Sequence, residues 1–252
     1  MNPGEALFLV AMAFVTAAIS GVFGMAGGLL LKGAIALVLP VSATFVVHGV
    51  LQLVANGWRA ILHRAHVDLR VVAGFALGSI AAAGLMASIA LEPTRATLFL
   101  LMGLSPLLVW LPPSWIRLDA TRPEQAILCG FSVTGVNLTA GVAGSFLDIF
   151  FVRTAMTRHA IVATKAATQV FSHMMKVAVY GAPLLAAGGH GLPPWWFFAL
   201  AIPLSMVGTA VGGLALNRIS DVNFKRYLRL ILTVIGCLYL AQAGQLYLHG
   251  QP

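Results

Sequence analysis

A glycine-rich stretch interrupts the first apolar block of the sequence: residues 21–28 read Gly-Val-Phe-Gly-Met-Ala-Gly-Gly. The block itself runs from about residue 5 to residue 38. As one straight helix it would be about 50 Å long, against about 30 Å for the hydrocarbon core of a bilayer. Glycine weakens a helix interior and permits sharp turns. The stretch therefore predicts two helical segments joined by a break, with the chain folded back on itself.

A second stretch of the same kind lies in the apolar block at 123–153, where residues 141–145 read Gly-Val-Ala-Gly-Ser. This block is also too long for one crossing. An alternative reading is that the glycines only let helices pack closely, because Gly24 and Gly28 have the spacing of small-residue helix contacts. The recurrence of the stretch in two overlong blocks favours the break.

The composition places both blocks in a membrane protein. Of the 252 residues, 60% are hydrophobic and 9% are charged, whereas soluble domains carry about 25% charged residues. The sequence predicts an all-α polytopic membrane protein, with apolar blocks at about 5–38, 41–62, 70–91, 94–111, 123–153, 158–187, 194–217 and 224–248.

The blocks repeat along the chain. At a shift of 117 positions, Gln52 aligns with Gln169, and Arg59 aligns with Lys176. The glycine stretches align at the same shift, which grows to 129 further along. We therefore divide the chain into two repeats, residues 1–115 and 116–252, within one integral membrane domain.

Loop charge predicts that the two repeats are inverted. The loop after the second block is basic, with Arg64 and Arg70, but its counterpart at 180–195 has no Lys or Arg. Basic loops stay in the cytoplasm, so equivalent loops should lie on opposite sides, a frequent arrangement in secondary transporters. The cytoplasmic face would then hold 11 of the 15 basic residues: Arg59, Arg64, Arg70, Arg117, Arg122, Arg153, Arg158, Arg218, Lys225, Arg226 and Arg229.

In this topology each repeat has a broken first segment followed by three transmembrane helices. The broken segment is either a re-entrant hairpin or a pair of full crossings, since both return the chain to the side it came from. Both termini are predicted to be periplasmic, and Lys32 and Arg95 fall on the outer face. A topology of eight simple crossings is disfavoured, because it would place one of the two loops richest in Lys and Arg on the periplasmic side.

Two stripes of polar side chains run along single helix faces, since they recur at i, i+4, i+8 and i+11. Intramembrane ionisable groups usually face a cavity or a partner. Basic and amide groups suit an anion, so we expect the stripes to face each other around an anion. They are His48, Gln52, Asn56 and Arg59 in the second block, and Lys165, Gln169, His173 and Lys176 in the sixth.

Each member of the stripes has a structural alternative. Arg59 and Lys176 are near helix ends and can extend to the interface. Gln52 and Gln169 can join neighbouring helices. His48 and His173 can be packed core residues, ligands or proton carriers.

The glycine breaks provide further candidates for anion binding, because a helix that starts inside the membrane presents free N–H groups and a partial positive charge. Asp148 is a lone acid in an apolar run; it either pairs with Lys165 or Lys176 or carries a proton, as His48 and His173 also can. The candidate binding residues at the breaks are Gly24, Gly27, Gly28, Asn137, Gly141, Gly144 and Ser145.

No pattern predicts a cofactor or a metal, and there is no phosphate-binding loop for ATP. The net charge of +8 follows from the cytoplasmic loops and does not indicate nucleic acid. The expected partners are a small anion, the lipid bilayer and a second copy of the chain in a homo-oligomer.

The first glycine motif, followed by Pro40 and the helix bearing His48, Gln52, Asn56 and Arg59, resembles the sulfite exporter TauE/SafE family, also called TSUP. The second half resembles that family's second repeat. The resemblance implies a multi-pass protein of a bacterial inner membrane that transports sulfite, thiosulfate, sulfoacetate or another organosulfonate. One departure is that Ser145 replaces the second glycine of the second motif, so the two half-sites are not expected to bind identically.

The leading hypothesis is a secondary transporter, not an enzyme, that works by alternating access and is driven by a gradient. Export is the expected direction, and proton coupling is a hypothesis. One alternative is an intramembrane serine hydrolase that uses Ser145 and His173. The other is an anion channel, which the sequence does not distinguish from a carrier.

Overall fold

A computed structural model describes residues 1–23, 25–89, 93–112, 115, 118–141, 143–216 and 221–250. Within these residues the regular structure is entirely helical, which confirms the predicted all-α class. The helices are α1 (Pro3–Phe23), α2 (Met25–Val38), α3 (Val41–Leu62), α4 (Leu69–Ile89), α5 (Arg95–Leu104), α6 (Pro123–Thr139), α7 (Gly144–Phe151), α8 (Arg158–Ala186), α9 (Trp195–Leu216) and α10 (Asp221–Leu248), with short 3₁₀ segments at Arg64–His66 and Ser105–Trp110.

The helices follow the predicted blocks to within a few residues. The first block is the pair α1 and α2, and the fifth is the pair α6 and α7. Five of the described helical segments are long and apolar enough to cross a membrane: Pro3–Phe23, Val41–Leu62, Leu69–Ile89, Trp195–Leu214 and Arg226–Leu248.

Large apolar side chains point outward from these helices. Leu77, Leu214 and Leu238 are each more than 60% exposed. Extended apolar surface of this kind is rare on soluble monomers and suits contact with lipid chains.

The two glycine breaks differ in detail. In the first block, α1 ends at Phe23 and α2 begins at Met25, with Gly27 and Gly28 inside α2; Gly24 is outside the described residues. Gly27 packs against Thr16 and Ser20 of α1, where an added Cβ would overlap the backbone. Gly27 therefore lets α1 and α2 pack closely, as the alternative interpretation of the glycine stretch predicted. In the second block, the break falls at Gly141, whose φ of +76° is a left-handed conformation that favours glycine.

The polar helices α3 and α8 pack against each other in opposite directions. Gly49 lies beside Val177, and Gly57, two turns further along α3, lies beside Val170. Helices α5 and α10 also run antiparallel, because Gly103 contacts Leu240 while Trp110 donates a hydrogen bond to Thr233 at 3.2 Å.

In the predicted repeat, α3 is equivalent to α8, and α5 is equivalent to α10. Repeats related by an axis in the membrane plane need equivalent helices to run in opposite directions, as these do. The inverted relation of the complete halves, and their boundary near residue 115, remain predictions.

The expected position of Lys32 on the outer face is wrong. Lys32 lies in the middle of α2 with its side chain 0% exposed. Because α2 folds back along α1, residues near its middle enter the core of the bundle. Arg117 and Arg218, two of the predicted cytoplasmic residues, lie outside the described residues.

Candidate anion-binding site

A cavity of about 80 Å³ lies between α1, α2 and α3, which belong to the predicted first repeat, and α7 and α8, which belong to the predicted second repeat. It is far smaller than the roughly 300–1,000 Å³ of pockets for drug-sized ligands, so it suits a small ligand. The described residues that line it are Ser20, Gly28, Leu29, His48, Gln52, Asn56, Arg59, Ala143, Gly144, Val162, Lys165, Ala166, Gln169 and His173.

Most of the predicted binding residues meet at this cavity. Those on its wall are Gly28, His48, Gln52, Asn56, Arg59, Gly144, Lys165, Gln169 and His173. The other described candidates are not among the lining residues; they are Gly27, Asn137, Gly141, Ser145 and Lys176. The structure brings both polar stripes to one place, and their role in binding stays a prediction.

Side chains of α3 are held by hydrogen bonds to their neighbours. Asn56 donates through Nδ2 to the Gln52 carbonyl at 3.0 Å and to Gln52 Oε1 at 3.3 Å. These bonds orient the Gln52 amide on the cavity wall. Gly28 has no side chain at the point where Gln52 approaches α2, so α2 and α3 can meet closely there.

Arg59 is held at the cavity by α1. Its guanidinium donates through Nη2 to the Ser20 carbonyl at 2.9 Å and to Ser20 Oγ at 3.4 Å. The side chain therefore lies between helices on the cavity wall and does not extend freely from the end of α3.

Lys176 of α8 is fully buried. This excludes the alternative interpretation, in which its side chain extends to the membrane interface. Its ammonium contacts Asn137 Oδ1 at 3.1 Å, the Gly141 carbonyl at 3.1 Å and His48 Nδ1 at 2.8 Å. An ammonium has three N–H donors, and each of these atoms can accept one hydrogen bond from it.

The same network engages both ring nitrogens of His48. A carbonyl oxygen only accepts, so Nε2 donates to the Gly28 carbonyl at 3.0 Å. Nδ1 is the nitrogen that lies 2.8 Å from the Lys176 amine. The contact of Lys176 with Asn137 also has a counterpart 117 positions earlier, in the contact of Arg59 with Ser20.

His173 faces His48 across the cavity. The two rings are 5.7 Å apart between centroids and nearly perpendicular. Nδ1 of His173 lies 3.4 Å from the Asn137 amide nitrogen, which also donates to Ser172 Oγ at 2.8 Å. The two histidines therefore lie where the polar stripes of α3 and α8 come together.

Asp148 of α7 forms an ion pair with Lys165 of α8. Of the two pairings left open by the sequence, the structure shows this one. Lys165 also lines the cavity, so Asp148 and a bound anion would compete for the same ammonium.

Basic groups outnumber acidic ones around the cavity. Arg59 and Lys165 line the cavity, and Lys32 and Lys176 are buried on α2 and α8. The single acidic residue on α2, α3, α7 and α8 is Asp148, which pairs with Lys165. Excess positive charge in a cleft with low-dielectric walls attracts anions. Within the described residues, no three His, Cys, Asp or Glu side chains are grouped as metal ligands.

Sequence reasoning missed Ser20 and Lys32. Ser20 aligns with Asn137 at the 117-position shift, so the repeat contained a signal for it. The predicted topology places Lys32 on the outer face, although a lone lysine in an apolar block is itself a signal for an interior function.

Long apolar helices around a polar, positively charged cavity define an integral membrane protein of the transporter class. The model of the family described as sulfite exporter TauE/SafE matches residues 9–239, and the chain belongs to that family. No curated protein and no solved structure matches it.

Proposed function

We propose that this protein is a secondary transporter that carries a small sulfur-containing anion across a bacterial inner membrane. The substrates we consider are sulfite, thiosulfate, sulfoacetate and other organosulfonates, with export as the direction. The observation that carries the proposal is the small cavity in which Arg59, Lys165, Gln52 and Gln169 converge from both repeats.

The donor groups on the wall suit a sulfur oxyanion. Such an ion has several oxygens that accept hydrogen bonds and no donors when it is fully ionised. Arginine and lysine supply charge, and glutamine and asparagine supply neutral N–H donors. Leu29, Val162 and Ala166 limit the space to a small substrate.

The cavity lies towards one end of the α3–α8 pair, which supports alternating access. It is lined by residues 48–59 of α3 and 162–173 of α8, and these stretches lie together because the helices are antiparallel. Towards the other end, Lys176 joins His48, and Phe45 stacks on Tyr180 with ring centroids 4.2 Å apart. In the alternate state of the transport cycle, the two repeats would exchange conformations. The end with Phe45 and Tyr180 would then open, and the end that holds the cavity would close.

Loop charge supports an orientation for this state. The cavity end of the α3–α8 pair adjoins the loops with Arg64, Arg70 and Arg153, so we place it at the cytoplasm. The C-terminal part of α10 lies at the opposite end, since Tyr247 hydrogen-bonds Thr97 at the start of α5, and the neighbouring Arg95 donates to the Leu39 carbonyl just before α3. Leu9 near the N-terminus belongs to the same buried cluster as Leu39, so we place both termini in the periplasm.

The test is flux of radiolabelled anions into proteoliposomes that contain the purified protein. We expect saturable uptake of sulfite or another of the named anions, and faster uptake when the vesicles hold the same anion unlabelled. Empty liposomes serve as the control. Flux that does not saturate and shows no counterflow would indicate a channel, and no protein-dependent flux of any of these anions would overturn the proposal.

A further inference from the structure

Among the described residues, Lys32 carries a buried amine for which the structure offers no hydrogen-bond partner. Its side chain is 0% exposed, and Nζ has no acceptor among the described residues. The nitrogen lies over the ring of Phe45, 3.3 Å from the centroid. The attraction between an ammonium and the face of an aromatic ring offsets only part of the free-energy cost of removing the ammonium from water.

The groups around Lys32 do not neutralise its charge. Gly141 lies against the Lys32 side chain. The Gly141 carbonyl also accepts from Lys176 of α8, which in turn contacts His48 of α3, and His173 lies one turn before Lys176 on α8. Tyr239 of α10 also packs on α2, but its hydroxyl donates to the Leu29 carbonyl.

The acceptors nearby are already used by Lys176, which contacts Asn137, Gly141 and His48. The carboxylate of Asp148 is paired with Lys165. Two ammonium groups would therefore lie near each other beside Gly141, with no described acid between them. The repulsion between the two ammonium groups decreases if Lys32 loses its proton or if an anion binds nearby.

The cavity is close enough for an anion to act on Lys32. Gly28 lines the cavity, and Lys32 follows four residues later on the same face of α2, about 6 Å further along the helix. In a low-dielectric interior, charges interact strongly over this distance. Lysine amines change protonation readily when buried.

We propose that Lys32 carries one proton together with each transported anion. In the empty protein its amine is neutral, and when the anion enters the cavity the nitrogen lone pair takes a proton from the solution on the side of entry. Release of the anion on the other side returns the proton there. The inference rests on the proposed anion transport and assigns the coupling to a residue outside the cavity wall.

The test measures proton uptake when thiosulfate or sulfoacetate binds to the purified protein. Both ions are fully ionised near neutral pH, so neither releases a proton of its own. With a pH indicator in weakly buffered detergent solution, we expect wild-type protein to take up about one proton per bound anion. Binding is measured in parallel with radiolabelled anion.

Variants separate Lys32 from other basic groups. Lys32→Met removes the amine but preserves the apolar length of the side chain, and we expect anion binding without proton uptake. Lys32→Arg retains a permanent charge and should also bind without uptake, which supplies the test if the methionine variant does not fold. Arg153→Gln, in the exposed loop before α8, should match wild type.

The possible failures are distinguishable. If wild-type protein binds neither anion nor sulfite, the proposed function falls and the inference falls with it. If wild-type protein binds anion without taking up protons, or if Lys32→Met and Lys32→Arg take up as many protons as wild type, the inference alone is wrong.

Discussion

Nζ of Lys176 and Nδ1 of His48 form a hydrogen bond of 2.8 Å, which joins the polar helices of the two repeats at the closed end of the cavity. The bond links α8 to α3, and through His48 it reaches the Gly28 carbonyl of α2. In the proposed transport cycle this contact closes one side of the pathway.

Replacing Lys176 with methionine should destabilise the protein and stop transport. The change leaves His48 Nδ1, Asn137 Oδ1 and the Gly141 carbonyl without their donor, at about 1–3 kcal/mol for each unsatisfied buried group. Removing an ammonium that is costly to bury offsets part of this, so we expect a net loss on the order of 2 kcal/mol. The melting temperature in detergent checks it, with Arg153→Gln as the control. An unchanged melting temperature would mean that the network does not join the repeats.

Gly141→Ala should be more harmful than Gly135→Ala. Residue 141 has φ of +76°, which costs a non-glycine residue about 1–2 kcal/mol, and an added Cβ would also meet the Lys32 side chain. At Gly135, inside α6, nothing described lies within 4 Å of an added Cβ, so alanine should be neutral or slightly stabilising. Thermal unfolding of the two variants provides the comparison, and equal melting temperatures would contradict a strained break at Gly141.

The two breaks also show how far the sequence determines the fold. Apolar blocks and glycine breaks predicted the positions of the described α-helices, because hydropathy, excess length and glycine content are local properties; the 3₁₀ segments at Arg64–His66 and Ser105–Trp110 were not predicted. The depth of Lys32 was not predicted, since it depends on how far α2 folds back along α1 at Gly27.

The sequence predicted which polar residues gather, because repeat and helix periodicity place them on facing stripes. It did not predict that Lys176 would be in the network behind the cavity while Arg59 lines the wall, since both repeats carry the same pattern and only packing makes them differ.

Asp148→Asn should strengthen anion binding and slow turnover. The carboxylate of Asp148 pairs with Lys165, which lines the cavity, so neutralising it frees the ammonium for the substrate. We expect KM to fall several-fold and kcat to fall with it, because the anion leaves more slowly. Lys165→Met should raise KM, and Asp119→Asn, in the loop before α6, should behave as wild type in flux assays. A raised KM in Asp148→Asn would mean that Asp148 assists binding.

Acid should destabilise the folded protein through His63, which directly follows α3. Partial burial lowers the pKa of His63 below its ordinary 6.5, and His159, Arg59 and His66 lower it further. Because the unfolded chain binds the proton more tightly, stability is present above about pH 6.5 and decreases as pH falls through the lower pKa of the folded state. Melting temperatures at pH 7.5 and 5.0 should therefore differ less in His63→Asn than in wild type. An equal difference would remove His63 from this effect.

The central claim is that both repeats contribute to one anion site, and the glutamines test it most directly. Gln52 and Gln169 are equivalent in the repeat and both line the cavity. A hydrogen bond to a charged group contributes about 1.5–3 kcal/mol, so each change to alanine should lower kcat/KM for radiolabelled sulfite flux in proteoliposomes by about tenfold or more. Gln245→Ala, on the exposed side of α10, should transport as wild type does. Normal flux in both Gln52→Ala and Gln169→Ala would contradict the shared site.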